Sequence, residues 1–141
     1  MKYTKIFFAA GAITLFSFVL GANDTSVYRD SSGRVVGTET QLGSTTVYRD
    51  AQGRTRATAV SSGGVTSYRD ANGRILGTRT VQGNQAVYRD AQGRLVRTET
   101  ISGNSSTMRD AQGRTVGTTT VDSSGTTTLR DSHGRTAGTK R

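Results

Sequence analysis

The block Tyr28-Arg29-Asp30-Ser31-Ser32-Gly33-Arg34 recurs as Tyr48 to Arg54, Tyr68 to Arg74 and Tyr88 to Arg94, and returns as Met108 to Arg114 and Leu129 to Arg135. The intervals between lead residues are 20, 20, 20, 20 and 21. A period this short makes each unit one supersecondary element that cannot bury an apolar face alone, so stability must come from neighbouring copies. The six copies fill residues 23–141 almost completely. Val, Ile and Leu number 17 among those residues, about 14%, which is below the level at which a basic chain is suspected of disorder. The fixed columns of the repeat argue for folding despite that composition.

Each unit carries the chemistry of a β-hairpin. Asp30, Asp50, Asp70, Asp90, Asp110 and Asp131 stand three residues before Gly33, Gly53, Gly73, Gly93, Gly113 and Gly134. These are the first- and fourth-position preferences of a type I turn, with the glycine able to supply the left-handed residue of a G1 bulge. With Ala51-Gln52-Gly53 as the loop, Asp50 faces Arg54, and stepping outward pairs Tyr48 with Arg56. The same register sets Tyr28 beside Val36, Tyr68 beside Leu76, Tyr88 beside Val96, Met108 beside Val116 and Leu129 beside Ala137, an apolar stitch along one face. Thr38, Thr58, Thr78, Thr98, Thr118 and Thr139 continue that face. The opposite face, with Gly37, Gly77, Gly117 and Gly138 and the mixed residues Glu39, Arg79 and Glu99, is expected to be wetter. Leu42-Gly43-Ser44, Ser62-Gly63-Gly64, Gln82-Gly83-Asn84 and Ser102-Gly103-Asn104 mark the second turn, whose loop must then have odd length to return the next lead residue to the same face. The extra residue of the last interval falls in another Asp-x-x-Gly turn, Asp122 to Gly125.

The fold class that follows is all-β: six tandem hairpins of about 20 residues forming an elongated antiparallel meander of about 12 strands. A β-solenoid with one repeat per coil is the alternative. The hairpin chemistry of Asp-x-x-Gly favours the meander.

Met1 to Ala22 reads as a secretory signal segment: Lys2 and Lys5 precede the apolar stretch Ile6 to Leu20, and Leu20-Gly21-Ala22 suits cleavage. All four Phe lie in that stretch and the sequence has no Cys, which excludes a disulfide framework. The expected organisation is a signal segment, 1–22, and a six-repeat β domain, 23–141, exported to the periplasm, the cell surface or the exterior. The formal net charge of the whole chain is +9.

Tyr-(Arg)-Asp-x-x-Gly-Arg at this spacing resembles the YD repeats of the RHS family, through Tyr28, Asp30, Gly33, Arg34 and Val35 and their counterparts Tyr68, Asp70, Gly73, Arg74 and Ile75, and Tyr88, Asp90, Gly93, Arg94 and Leu95. An Arg stands between Tyr and Asp in every copy, a departure from that pattern. The resemblance implies β-hairpin repeats in an exported or surface-associated bacterial protein. A weaker likeness, through Gly83-Asn84-Gln85-Ala86, is to curlin-type fibril subunits, and implies self-assembly through open edge strands.

No catalytic, metal or cofactor site is expected. Each Asp is adjoined by Arg, whereas Ca²⁺ wants six to eight oxygens. His133 is the only His and stands where other repeats have Gln; a general base without an oriented partner is not a site. The columns with functional potential are Arg29, Arg49, Arg69, Arg89, Arg109 and Arg130, adjoining Arg34, Arg54, Arg74, Arg94, Arg114 and Arg135, read as a line of guanidinium groups for phosphate or carboxylate. Tyr28, Tyr48, Tyr68 and Tyr88 are assigned to packing. Two functions follow: a non-enzymatic structural or adhesive element of the cell surface or biofilm matrix that pairs with itself, or a cationic protein whose Arg rows bind a polyanion such as lipopolysaccharide, acidic glycan or extracellular DNA. The open edge also suits β-augmentation of a partner protein.

Overall fold

A computed structural model of the chain describes residues 24–141; the signal segment expected at 1–22 lies outside them. Twelve antiparallel strands follow in chain order: β1 (Thr25–Asp30), β2 (Val35–Leu42), β3 (Thr45–Asp50), β4 (Thr55–Ser62), β5 (Val65–Asp70), β6 (Ile75–Gln82), β7 (Gln85–Asp90), β8 (Leu95–Ser102), β9 (Ser105–Asp110), β10 (Thr115–Val121), β11 (Thr127–Asp131) and β12 (Thr136–Lys140). The meander is as expected, but it is not an open sheet: β12 pairs with β1 and closes a barrel. Every ladder is antiparallel and, the closing one apart, joins sequence neighbours, so the repeat is a hairpin and not a coil of a solenoid.

Within each hairpin the Asp-x-x-Gly turn forms as its sequence dictates. The Asp30 amide donates to the Arg34 carbonyl at 2.9 Å, the Gly33 amide donates to the Asp30 carbonyl at 3.0 Å, and all six copies repeat this pair. Gly33 has φ of 81°, the left-handed residue of the G1 bulge.

The register then departs from the expected one. Arg29 pairs with Val35, but Tyr28 pairs with Gly37, so Val36 is an extra, bulged residue. The same shift puts Tyr48 opposite Ala57 rather than Arg56, Tyr68 opposite Gly77 rather than Leu76, and Tyr88 opposite Arg97 rather than Val96. Met108 likewise faces Gly117 rather than Val116, and Leu129 faces Gly138 rather than Ala137. One bulged residue exchanges the two faces of every returning strand. Glu39, Arg79 and Glu99, expected on the wetter side, point into the barrel and are buried, while the Thr38 column lies outside. The bulge also supplies the parity assigned to the second loop, which is even: β2 and β3 are joined by Gly43-Ser44 alone, with Leu42 opposite Thr45. Gly63 and Gly64, with φ of 56° and 79°, meet the demand of a type I′ turn for two left-handed residues. The extra residue of the last repeat lies in the β10–β11 loop, where the Asp122 amide donates to the Thr126 carbonyl.

Closure reuses the contact between repeats. Gly37 faces Asp50 and Glu39 faces Tyr48 across β2–β3; Gly138 faces Asp30 and Lys140 faces Tyr28 across β12–β1. From Tyr28 through Gly37 to Asp50, the register advances two residues per repeat, so six repeats give a shear of 12 for 12 strands. Equal shear and strand number tilts the strands by about 36°. At a strand spacing of about 4.8 Å the radius is roughly 11 Å. Because six equal steps return to β1, equivalent residues lie at equal height and the interior is built of six-membered rings. One ring holds Tyr28, Tyr48, Tyr68, Tyr88, Met108 and Leu129, all buried. The closed sheet is complete within residues 24–141, each strand hydrogen-bonded on both sides. The unpaired edges on which edge-strand assembly and β-augmentation depend are thereby removed.

Candidate functional site

The seventh Asp-x-x-Gly turn, Asp122 to Gly125, lies at one end of the barrel, and the six that follow the lead residues lie at the other. Their columns form a closed ring there, not the line along an open face that the sequence suggested. In the first turn, Asp30 Oδ1 accepts the amides of Ser32 and Arg34 at 2.9 and 3.0 Å and the Ser32 hydroxyl at 2.6 Å. That hydroxyl, followed by the two amides, holds the Asp30 carboxyl below its usual range. At Asp50, Asp90, Asp110 and Asp131 partial desolvation works against ionisation, yet the amide and guanidinium of the following Arg outweigh it and the pKa is again lowered. These carboxylates are committed to their own turns.

Two arginines flank each Asp and are held differently. The one before it reaches over the turn: Nη1 of Arg29, Arg69 and Arg89 donates to the carbonyl of Gly33, Gly73 and Gly93 at 2.9, 2.9 and 3.0 Å, and Arg109 and Arg130 do the same at 3.3 and 3.1 Å. The one after it turns back: Nε of Arg54, Arg94, Arg114 and Arg135 meets Asp50, Asp90, Asp110 and Asp131 at 2.9, 2.7, 2.7 and 2.8 Å. These four guanidinium side chains remain 69 to 76% exposed. Twelve Arg against six Asp leave the rim with an excess of six positive charges. Among the described residues the opposite end carries Asp24, Asp122 and Arg141. The charge of the barrel is thus concentrated at one end.

The interior holds a second set of charges, which the sequence reading placed in water. The Tyr28 hydroxyl donates to Glu39 Oε2 at 2.5 Å, and Lys140 Nζ contacts Glu39 Oε1, joining β1, β2 and β12. Across the barrel, Tyr88 donates to Glu99 Oε2 at 2.8 Å, Arg79 Nε donates to the Tyr88 hydroxyl at 3.0 Å, and the Arg97 guanidinium stacks 4.3 Å from the Tyr88 ring centroid. Burial pushes the Tyr88 hydroxyl up to about 12, with Glu99 adding to the effect and Arg79 and Arg97 opposing it. Burial, and then Glu39, raise the Tyr28 hydroxyl well above its ordinary value. The Tyr68 hydroxyl is buried without a hydrogen-bond partner among the described residues. Removing charges from water is costly, so these pairs are better read as fixing which repeat sits where than as net stabilisers.

Tyr28, Tyr48, Tyr68 and Tyr88 are buried inside the barrel. His133 lies exposed in the last turn, its amide donating to Asp131 and its Nδ1 3.3 Å from the Ser132 hydroxyl. No protein-family model matches the chain, and no curated protein sequence matches it. No helix among the described residues is long and apolar enough to cross a membrane. The strands run five to eight residues with Tyr turned inward and Thr predominant outside. A bilayer-spanning barrel has the opposite pattern, strands of about 9 to 11 residues with aromatic girdles outside.

Proposed function

We propose that this chain is an exported, non-enzymatic barrel that uses its ring of arginines to bind a polyanion. The observation that carries the reading is the composition of the rim: twelve Arg on six turns, with the six Asp of the same turns already held by backbone amides. Nothing at the rim requires a cleft, because guanidinium groups recognise phosphate and carboxylate by charge and paired donors on an open surface. Pinning to the turn carbonyls limits the rotamer entropy lost on binding. The structural or adhesive role at a surface or in a matrix stands with this reading as a consequence of binding rather than of self-pairing. Kinship with YD-repeat proteins is part of the same proposal, with six hairpins closing on one another.

Heparin and duplex DNA test it. If about six rim charges engage DNA, log K falls with log salt at a slope near −5, a loss of roughly 10³-fold between about 50 and 200 mM. Substituting Arg54, Arg94 and Arg114 by Gln should flatten that slope without unfolding the barrel. Binding that is absent, or indifferent to salt, refutes the proposal.

A further inference from the structure

We infer that the partner of the arginine rim is a flat anionic lipid surface, met end-on through its phosphate headgroups. The inference rests on the polyanion reading above and adds two observations. The first is shape. The twelve arginines form two adjacent rings of six around the turn end, roughly 20 Å across and each level, because equivalent residues of successive repeats lie at equal height. A linear polymer laid over such a ring meets it only along a chord. A planar array of phosphates meets all six turns at once.

The second observation is what stands beside the guanidinium groups. Val35, Ile75 and Leu95 are 36, 50 and 39% exposed on the outer wall, and they pair in register with Arg29, Arg69 and Arg89. Each follows directly on the second Arg of its turn. The rim therefore presents exposed aliphatic side chains interleaved with cations, the combination by which surface-bound elements sit at the boundary between headgroups and acyl chains. The equivalent positions in the other three repeats are Thr55, Thr115 and Thr136, so Thr is compatible with the strand at this site. The strongly positive end and the near-neutral opposite end also orient the barrel before contact.

Residues 23–141, which contain the whole closed sheet, are mixed with vesicles of phosphatidylcholine alone or with about one third phosphatidylglycerol, and bound protein is measured by co-sedimentation. The expected result is binding to the anionic vesicles only. Partition should fall about fivefold for each rim arginine replaced, tested as Arg54→Gln, Arg94→Gln and Arg114→Gln together. Ile75→Thr with Leu95→Thr should weaken binding again while leaving the strand circular-dichroism signal and heparin affinity unchanged. Binding to heparin or DNA with none to anionic vesicles overturns this inference and leaves the polyanion reading standing. Equal binding to both vesicle types overturns the inference as well, and absence of binding to every polyanion overturns both.

Discussion

Replacing Lys140 by Met tests what holds the barrel shut. Lys140, Glu39 and Tyr28 are each no more than 6% exposed, and they bring together the last strand and the first hairpin. Met keeps the length and shape of the lysine stem but leaves the Glu39 carboxylate buried with the Tyr28 hydroxyl and without its cation. Breaking a buried pair by removing one partner costs about 3 to 5 kcal/mol. A chain of this size shifts its melting point by about 4 °C per kcal/mol, giving a drop of about 12 to 20 °C. The double replacement Glu39→Gln with Lys140→Met removes both charges while the Gln carbonyl still accepts from Tyr28, and it should cost about 1 kcal/mol or less. Neutral residues already occupy the same ring at Ala59 and Thr119, so the barrel tolerates an uncharged position there. Urea unfolding of the wild type, both single variants and the double variant gives the coupling energy, expected to be at least about 2 kcal/mol. A single Lys140→Met cost below about 1 kcal/mol, or simple additivity of the two replacements, would refute the reasoning.

The four interior tyrosines should divide by their hydroxyl partners. Tyr68→Phe should be neutral or stabilising by up to about 1 kcal/mol because it removes an unpartnered buried group, whereas Tyr28→Phe and Tyr88→Phe should each cost about 1 to 3 kcal/mol by orphaning Glu39 and Glu99 in part; a uniform cost in urea melts would contradict this. Gly77→Ala drives a Cβ into the Arg89 carbonyl oxygen, so β7 must retreat and stability should fall by about 1 to 3 kcal/mol in thermal melts. Burial raises the pKa of Tyr88 from its ordinary 10.0 to about 12. The unfolded chain therefore ionises first as pH rises, and stability should be intact below about pH 10 and lost progressively toward pH 12. Tyrosinate absorbance should then appear together with loss of strand signal, and ionisation near pH 10 with the fold intact would count against a buried ring.

Much of the hairpin was readable because its determinants are local. Asp30 and Gly33 specify the turn through bonds that span four residues, and the pairing of Asp30 with Arg34 followed directly. The bulge at Val36 did not, since its signal is what stands next to it: Gly37, a strand glycine, which marks close backbone approach or a bulge. Gly117 and Gly138, in the same column, meet the carbonyls of Arg130 and Arg29 at distances no Cβ tolerates. Read with that glycine as the facing partner of Tyr28, the sequence turns Glu39, Arg79 and Glu99 inward. Their chemical diversity had instead suggested solvent. Closure was hidden for a different reason. The contact of β12 with β1 is the same as that of β2 with β3, and only the accumulated twist and shear decide that the sixth repeat meets the first. The Arg columns were legible as residues, but their arrangement as a ring depends wholly on that closure.

The closing seam is therefore the most direct thing to measure. Arg29 and Thr139 face each other across β1 and β12 on the outer wall, and the sequence has no Cys to interfere. Arg29→Cys with Thr139→Cys, treated at low protein concentration with a short thiol crosslinker, should give a cyclised monomer in high yield, identified by peptide mass. Crosslinks that form only between molecules, or not at all while the strand signal is intact, would contradict a barrel closed by its own first and last strands.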